Sequence, residues 1–331
     1  LNIAFLTAMG SGIQLFFLGS LIPIFIFILY EILIFKKILS KSFNKKKFLF
    51  DLLKCFLLFY ILLVIFWVDT HSNIFVLPVK IMLETLSPDF YTGHPYNLIN
   101  GNYYISTEVP KLYLFINFIY KSPEYFLITY VIFIFLLIAS KNFFLNKFKL
   151  FNYNLVLLII ILLFPSTILF FVPYPIYDGV RLFLWTIPYI CIIPALAIYY
   201  LISNFKLLKA KAVFVLLCLS FFYFLYNFIS ITPYQYTYLN ALNGKMEYGY
   251  KKFENDYWGG SLKELINNIT SEFNETAKIA TCGTSSEVSK YYLKNKNLRN
   301  FKFVTPIEAD YIIMTNRVVY NDKFTNCFDE F

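Results

Sequence analysis

The sequence is poor in charge. Only 15% of its 331 residues are Asp, Glu, Lys or Arg, against roughly a quarter in a soluble domain, while 59% are hydrophobic. That balance excludes an ordinary soluble globular chain and implies a membrane protein. Histidine is scarcer still, with only His71 and His94. Cys55, Cys191 and Cys218 lie in apolar runs, Cys282 and Cys327 in the polar tail, and no metal-ligand spacing emerges. Asp69 and His71 in "VDTH" have no evident companions, so neither a metal nor a cofactor is expected. Cys282 and Cys327 either form a disulfide, if the tail is extracytoplasmic, or stay as two thiols. The chain has no initiator Met, no charged start and no small-residue cleavage site, so a C-terminal portion of a longer protein is expected rather than a signal peptide.

The net charge of +9 is unevenly placed. Residues 1–232 hold 17 Lys and Arg against 8 Asp and Glu, whereas residues 233–331 hold 12 against 12. All the excess lies beside apolar runs, as expected for cytoplasmic loops, and nothing calls for a nucleic-acid partner.

Crossing about 30 Å of hydrocarbon takes roughly 20 apolar residues. Six runs qualify, near 13–35, 49–68, 124–140, 153–173, 182–203 and 212–232, with residues 1–9 read as the end of an earlier helix broken at Gly10-Ser11-Gly12. The 124–140 run is short and borrows length from "KLYLFINFIYK". Lysines crowd the loops 36–48, 141–149 and 204–211, which places those inside and puts loop 69–123, loop 174–181 and everything after 232 outside. The fold expected is an all-α polytopic membrane helical bundle over 1–232, followed over 233–331 by an aromatic linker and a small α/β extracytoplasmic domain. In that domain "AKIATCGT", "FKFVTP" and "ADYIIMTNR" read as strands and "SSEVSKYYLKN" as a helix.

Charged residues inside a membrane mark function or an interface, and here the last three spans contain none. This argues against an ion-coupled transporter and directs attention to the outer ends. There "VPYPIYDGVRLFLWTIPY" carries Asp178 and Arg181. If residues 177–181 begin a helix, both side chains share a face and pair. One reading is a helix-end salt bridge. The other is an anionic-headgroup site in which Arg181 grips phosphate and Asp178 orients it, framed by Tyr174, Pro175 and Tyr177.

Two further stretches carry candidates. In "SPDFYTGHPYNLINGNYYISTEVP", Asp89 and Glu108 accompany His94, Tyr91, Tyr96, Tyr103 and Tyr104, a mixture that suits carbohydrate, although a lone His is also a common structural residue. The short segments "IFVLPVKIMLETL" and "KLYLFINFIYK" flanking this stretch either cover the bundle or wall a cavity at the interface. In "PYQYTYLNALNGKMEYGYKKFENDYWGGSLKEL", Tyr234, Tyr236, Tyr238, Tyr248, Tyr250, Tyr257 and Trp258 are grouped with Glu254 and Asp256, which exceeds what an interfacial belt needs.

In order along the chain, "TGHPYNLINGNYYISTEVPKLYLFINFIYKSPEYFL", "PIYDGVRLFLWTIP" and "PYQYTYLNALNG" with "FENDYWG" resemble bacterial integral-membrane glycosyltransferases of the GT-C class, related to protein O-mannosyltransferases and aminoarabinose transferases. The resemblance covers roughly residues 85–315. It implies transfer of a sugar from a polyprenyl-phosphate donor to a glycan, lipid or protein acceptor, at the periplasmic face of a bacterial inner membrane. On this reading Arg181 holds the donor phosphate, His94, Tyr96 and Asn100 line the sugar or lipid pocket, and Asp256 and Trp258 cap it. In such relatives the catalytic carboxylate lies in an earlier outer loop that would precede Leu1, which leaves Asp178 or Glu108 for that role here. Leu182 stands where relatives often carry a His. A non-catalytic membrane anchor and a lipid or sugar transporter are the competing classes.

Overall fold

The computed structural model describes residues 1–331 apart from 14, 36–42, 88–94, 173, 257, 270–276, 296–300 and 322. Its helices are α1 (Asn2–Ile13), α2 (Leu21–Tyr30), α3 (Lys45–Phe66), α4 (Leu77–Leu86), α5 (Tyr113–Lys121), α6 (Glu124–Ala139), α7 (Lys141–Lys147), α8 (Phe151–Phe171), α9 (Ile187–Ser203), α10 (Leu208–Ser230), α11 (Leu262–Ile269), α12 (Ser286–Asn295) and α13 (Cys327–Glu330). The strands are β1 (Tyr96–Ile99), β2 (Asn102–Ile105), β3 (Ala277–Cys282), β4 (Phe301–Phe303), β5 (Tyr311–Met314), β6 (Val318–Asn321) and β7 (Lys323–Asn326).

Among the described residues, five helical stretches are long and apolar enough to cross a bilayer: Phe17–Ile34, Lys45–Phe66, Phe151–Phe171, Arg181–Ser203 and Leu208–Ser230. Their side chains explain the low charge of the sequence. Phe171 and Leu208 are each 80% exposed or more, an arrangement that wastes apolar surface in water and suits hydrocarbon. The sixth expected span differs. α6 has 16 residues, and it reaches a spanning length only together with α5, across a 113° bend at Ser122-Pro123. Pro123 removes the backbone donor that a continuous helix needs there. The architecture is that of a helical membrane protein carrying a small α/β domain.

The chain forms two compact units. The first comprises Leu1–Gly93, Thr129–Pro175 and Val180–Ser203. Its packing is aromatic: Phe133, Phe144, Phe151, Leu158, Ile193 and Ala197 form one core, and Ala4 and Ala8 of α1 meet Phe59 and Leu63 of α3 in another. α1 does not break at Gly10-Ser11-Gly12, as the sequence suggested, but continues to Ile13. The Ser11 hydroxyl donates back to the Thr7 carbonyl (2.7 Å), and a Cβ on Gly10 would come within 2.7 Å of the Phe17 ring, so the glycine serves close packing. Glu31, 2% exposed, accepts a hydrogen bond from the Tyr153 hydroxyl (2.8 Å).

The second unit comprises His94–Ile128, Ile176–Gly179 and Asn204–Phe331. Its α/β portion is a three-stranded parallel sheet in the order β4-β3-β5, with α12 making the β3 to β4 crossover. Leu262 and Ile266 of α11 and Leu293 of α12 pack with Ala277, Ile279 and Ile313 of the sheet. The three strand expectations and the helix hold. The antiparallel β6-β7 hairpin was not anticipated, and neither was the β1-β2 hairpin, registered Tyr96 to Ile105 and Ile99 to Asn102. Its two-residue turn is Asn100-Gly101, with φ of 48° and 85°, the left-handed pair that an Asn-Gly turn supplies cheaply. A disulfide joins Cys282 at the end of β3 to Cys327 at the start of α13, settling the alternative that the sequence left open.

Candidate functional site

The site in the second unit grows from the segment "FEND". Phe253, 1% exposed, bridges Ile99 of the first hairpin, and the Gly101 N–H donates to the Lys252 carbonyl (3.1 Å). From the other side the Asn316 amide donates to the Phe253 carbonyl (2.8 Å), and the Val318 N–H donates to Glu254 Oε1 (2.9 Å). Glu254 is thereby fixed between the β1-β2 hairpin and the last strands. Burial pushes its carboxyl up to about 7, against the pull of the Val318 N–H, Arg317, Lys121 and the Leu98 N–H.

Asn97, 3% exposed, holds the next component. Its amide donates to the Ser106 hydroxyl (2.9 Å) and to the Ile176 carbonyl (2.8 Å), while the Ile176 N–H donates to the Ser106 carbonyl (3.0 Å). The chain leaving Ile176 is thus anchored on the hairpin, and two left-handed residues follow, Asp178 (φ 57°) and Gly179 (φ 64°). The turn directs Asp178 toward Trp258, whose indole N–H donates to Asp178 Oδ2 (2.8 Å). Trp258 keeps 61% of its surface exposed.

α5 supplies the third component. Asn117 and Lys121 stand four residues apart on one face. The Lys121 ammonium lies 5.4 Å from the centre of the Phe253 ring. A Cβ on Gly179 would sit 3.1 Å from that ammonium and 3.4 Å from Asn117 Oδ1, so the glycine keeps the space around the cation open. Asn97, Asn117, Lys121, Asp178, Gly179 and Glu254, with Tyr113 and Phe253 among the apolar neighbours, line a pocket with about 10 Å³ of free interior, room for about one water molecule. One cation, two carboxyl groups and two amides facing so small a space can hold a hydroxyl or an anionic oxygen and exchange a proton with it.

Of the residues singled out from the sequence, Asp178 and Trp258 are thus brought together. Arg181 belongs to the first unit and begins a 3-10 turn, Arg181–Thr186. The helix conditionally expected over 177–181 does not form, because residues 178 and 179 are left-handed. The other expected residues take other places. The Tyr174 hydroxyl donates to the Thr85 carbonyl (2.8 Å) at the end of α4. Tyr177 is partly buried in the second unit. Tyr96 packs on Tyr320 and Phe324 (ring centroids 6.1 and 5.3 Å), and Asn100 is exposed in the hairpin turn. Glu108 is exposed beyond β2 and is absent from the pocket lining. Asp256 accepts hydrogen bonds from the Tyr236 and Ser261 hydroxyls and from the N–H groups of Gly260 (2.8 Å) and Ser261 (3.3 Å), which makes it an anchor for the start of α11. His94, Asp89 and Tyr91 lie outside the described residues.

Asn97, Asn117 and Lys121 were missed, and Glu254 was noticed without a role. The tyrosine-rich stretch also has a structural use. Tyr234, Tyr236 and Tyr238 each donate to a carboxylate, Glu264, Asp256 and Glu124 respectively, and so clamp the segment after α10 to α11 and to the start of α6.

Comparison with protein-family models, curated proteins and solved structures finds no match for this chain.

Proposed function

We propose that the protein is an integral-membrane glycosyltransferase that moves a sugar from a polyprenyl-phosphate donor to a glycan, lipid or protein acceptor on the extracytoplasmic side of the membrane. The observation that carries this reading is convergence. Three stretches that resemble the GT-C class, separated by roughly 80 residues each, contribute Asn97, Asp178 and Glu254 to a single polar pocket, with an exposed indole hydrogen-bonded to its aspartate. A membrane anchor has no need of such a constellation. The Cys282–Cys327 disulfide suits an oxidising compartment and so favours an extracytoplasmic tail, in keeping with the lysine distribution, and the periplasmic face of a bacterial inner membrane fits both.

In the proposed reaction the acceptor hydroxyl attacks the anomeric carbon and gives its proton to Asp178. The bond from that carbon to the phosphate oxygen breaks, and the lipid phosphate leaves with the electron pair. Asp178 is preferred over Glu108 because it lines the pocket and is oriented by the Trp258 N–H. Arg181 is assigned to the donor phosphate, where a guanidinium offers two parallel hydrogen bonds and charge without proton transfer. The test is transfer of labelled sugar from polyprenyl-phosphate donors in membranes, wild type beside Arg181→Ala. Turnover by wild type that the variant loses supports the reading. Wild-type membranes that turn over no donor while the protein is folded would shift the reading to an anchoring role.

A further inference from the structure

We propose that Lys121, at the end of α5, is the binding group of an oxyanion site, taking one oxygen of a phosphate or carboxylate into the pocket that it shares with Asp178 and Glu254. Nothing in the GT-C resemblance assigns this lysine. Its position is built rather than incidental. The last residue of α5 turns its ammonium inward over Phe253, and Gly179 lacks the Cβ that would crowd it.

The ammonium is also uncommitted. It makes no hydrogen bond or ion pair within 4.0 Å of the described residues, and its two carboxyl neighbours, Asp178 and Glu254, act on it from farther away. The donors around it are spent differently. Both Asn97 amide hydrogens go to Ser106 and Ile176, and Asn117 donates to the Tyr113 carbonyl (2.9 Å). A buried ammonium of this kind, beside a cavity with room for about one oxygen atom, favours an anionic oxygen over a neutral hydroxyl, because a charge-assisted hydrogen bond is the stronger one.

The charges facing the pocket set a signature. Among the lining residues Lys121 is the cation, which burial draws toward its neutral form against the opposing pull of Asp178 and Glu254, and Glu254 is divided between its two forms near pH 7. As pH rises through 7, Glu254 ionises and repels the ligand, so affinity falls. The Asp178 carboxyl group lines the same small space, so replacing it with its neutral isostere strengthens binding of an anion.

The experiment is isothermal titration of the purified full chain in detergent with inorganic phosphate, glucuronate, a polyprenyl phosphate and the uncharged polyprenol. Binding of an anion that weakens about tenfold or more in Lys121→Met, and tightens in Asp178→Asn, is the expected result. The gain in Asp178→Asn cannot come from misfolding, which guards against a Lys121→Met variant that folds poorly. Binding of inorganic phosphate or glucuronate identifies a soluble anion as sufficient, whereas binding confined to the polyprenyl phosphate identifies the lipid headgroup. Affinity unchanged in Lys121→Met, weakened in Asp178→Asn, or equal for the polyprenol overturns the proposal. Binding without sugar transfer would leave this site standing and count against the glycosyltransferase reading alone.

Discussion

Replacing Glu254 with Gln tests the electrostatics of the pocket without removing its packing. The folded carboxyl is pushed up to about 7 by burial, from an ordinary value of 4.5. Between those values the folded state binds more protons than the unfolded state, so stability falls as pH rises from about 4.5 to 7 and the loss is complete above that range. At about 1.36 kcal/mol per pKa unit the full effect is roughly 3 kcal/mol, and about 2 kcal/mol after allowance for the carboxyl's partial exposure. Gln keeps an acceptor for the Val318 N–H and cannot ionise. The variant should therefore match wild type in thermal unfolding near pH 5 and exceed it by about 2 kcal/mol at pH 8. Unfolding in detergent across that range measures the difference directly. A Gln variant less stable than wild type at pH 8, or a gap that does not change with pH, would refute the reasoning.

Other consequences follow from the same contacts. Asn97→Ala removes the donor to the Ser106 hydroxyl and the Ile176 carbonyl, and should cost about 2–4 kcal/mol in chemical unfolding; a loss under about 0.5 kcal/mol would show that the hairpin does not hold the Asp178 turn. The disulfide closes a loop with a sequence separation of 45, so Cys282→Ser with Cys327→Ser should lower the stability of the α/β portion by about 3–4 kcal/mol, read by limited proteolysis against urea, and equal resistance would contradict the linkage. Arg181→Lys should lose most transfer activity although the charge remains, because two-point contact with phosphate is gone. Full activity in that variant would remove Arg181 from the donor site.

Much of the fold was legible because hydropathy and charge are strong one-dimensional signals. Runs of Leu, Ile and Phe without charge mark spans, and the alternation in "AKIATC" marks β3. The bend between α5 and α6 was less visible, since both helices are apolar and only Ser122-Pro123 separates them. The Asn100-Gly101 turn was a readable signal that was instead taken as pocket lining. Lys121 and Asn117 were obscured for a different reason. Their four-residue spacing puts them on one helical face, but nothing local says whether that face meets lipid, water or a carboxylate brought from elsewhere in the chain. Glu254 is the same case, because its character comes from Val318, Leu98 and burial, all supplied by distant sequence. Asp256 beside it was read as a pocket residue, yet it serves the start of α11.

The most direct test of the account is a single transfer assay in membranes with labelled polyprenyl-phosphate sugar, comparing wild type, Asp178→Ala, Lys121→Met and, as a control away from the pocket, Lys290→Met, whose side chain pairs with Glu287 on the exposed side of α12. The account predicts turnover by wild type and by Lys290→Met, and its loss in both pocket variants at equal protein level. Undiminished transfer by Asp178→Ala and Lys121→Met would contradict it.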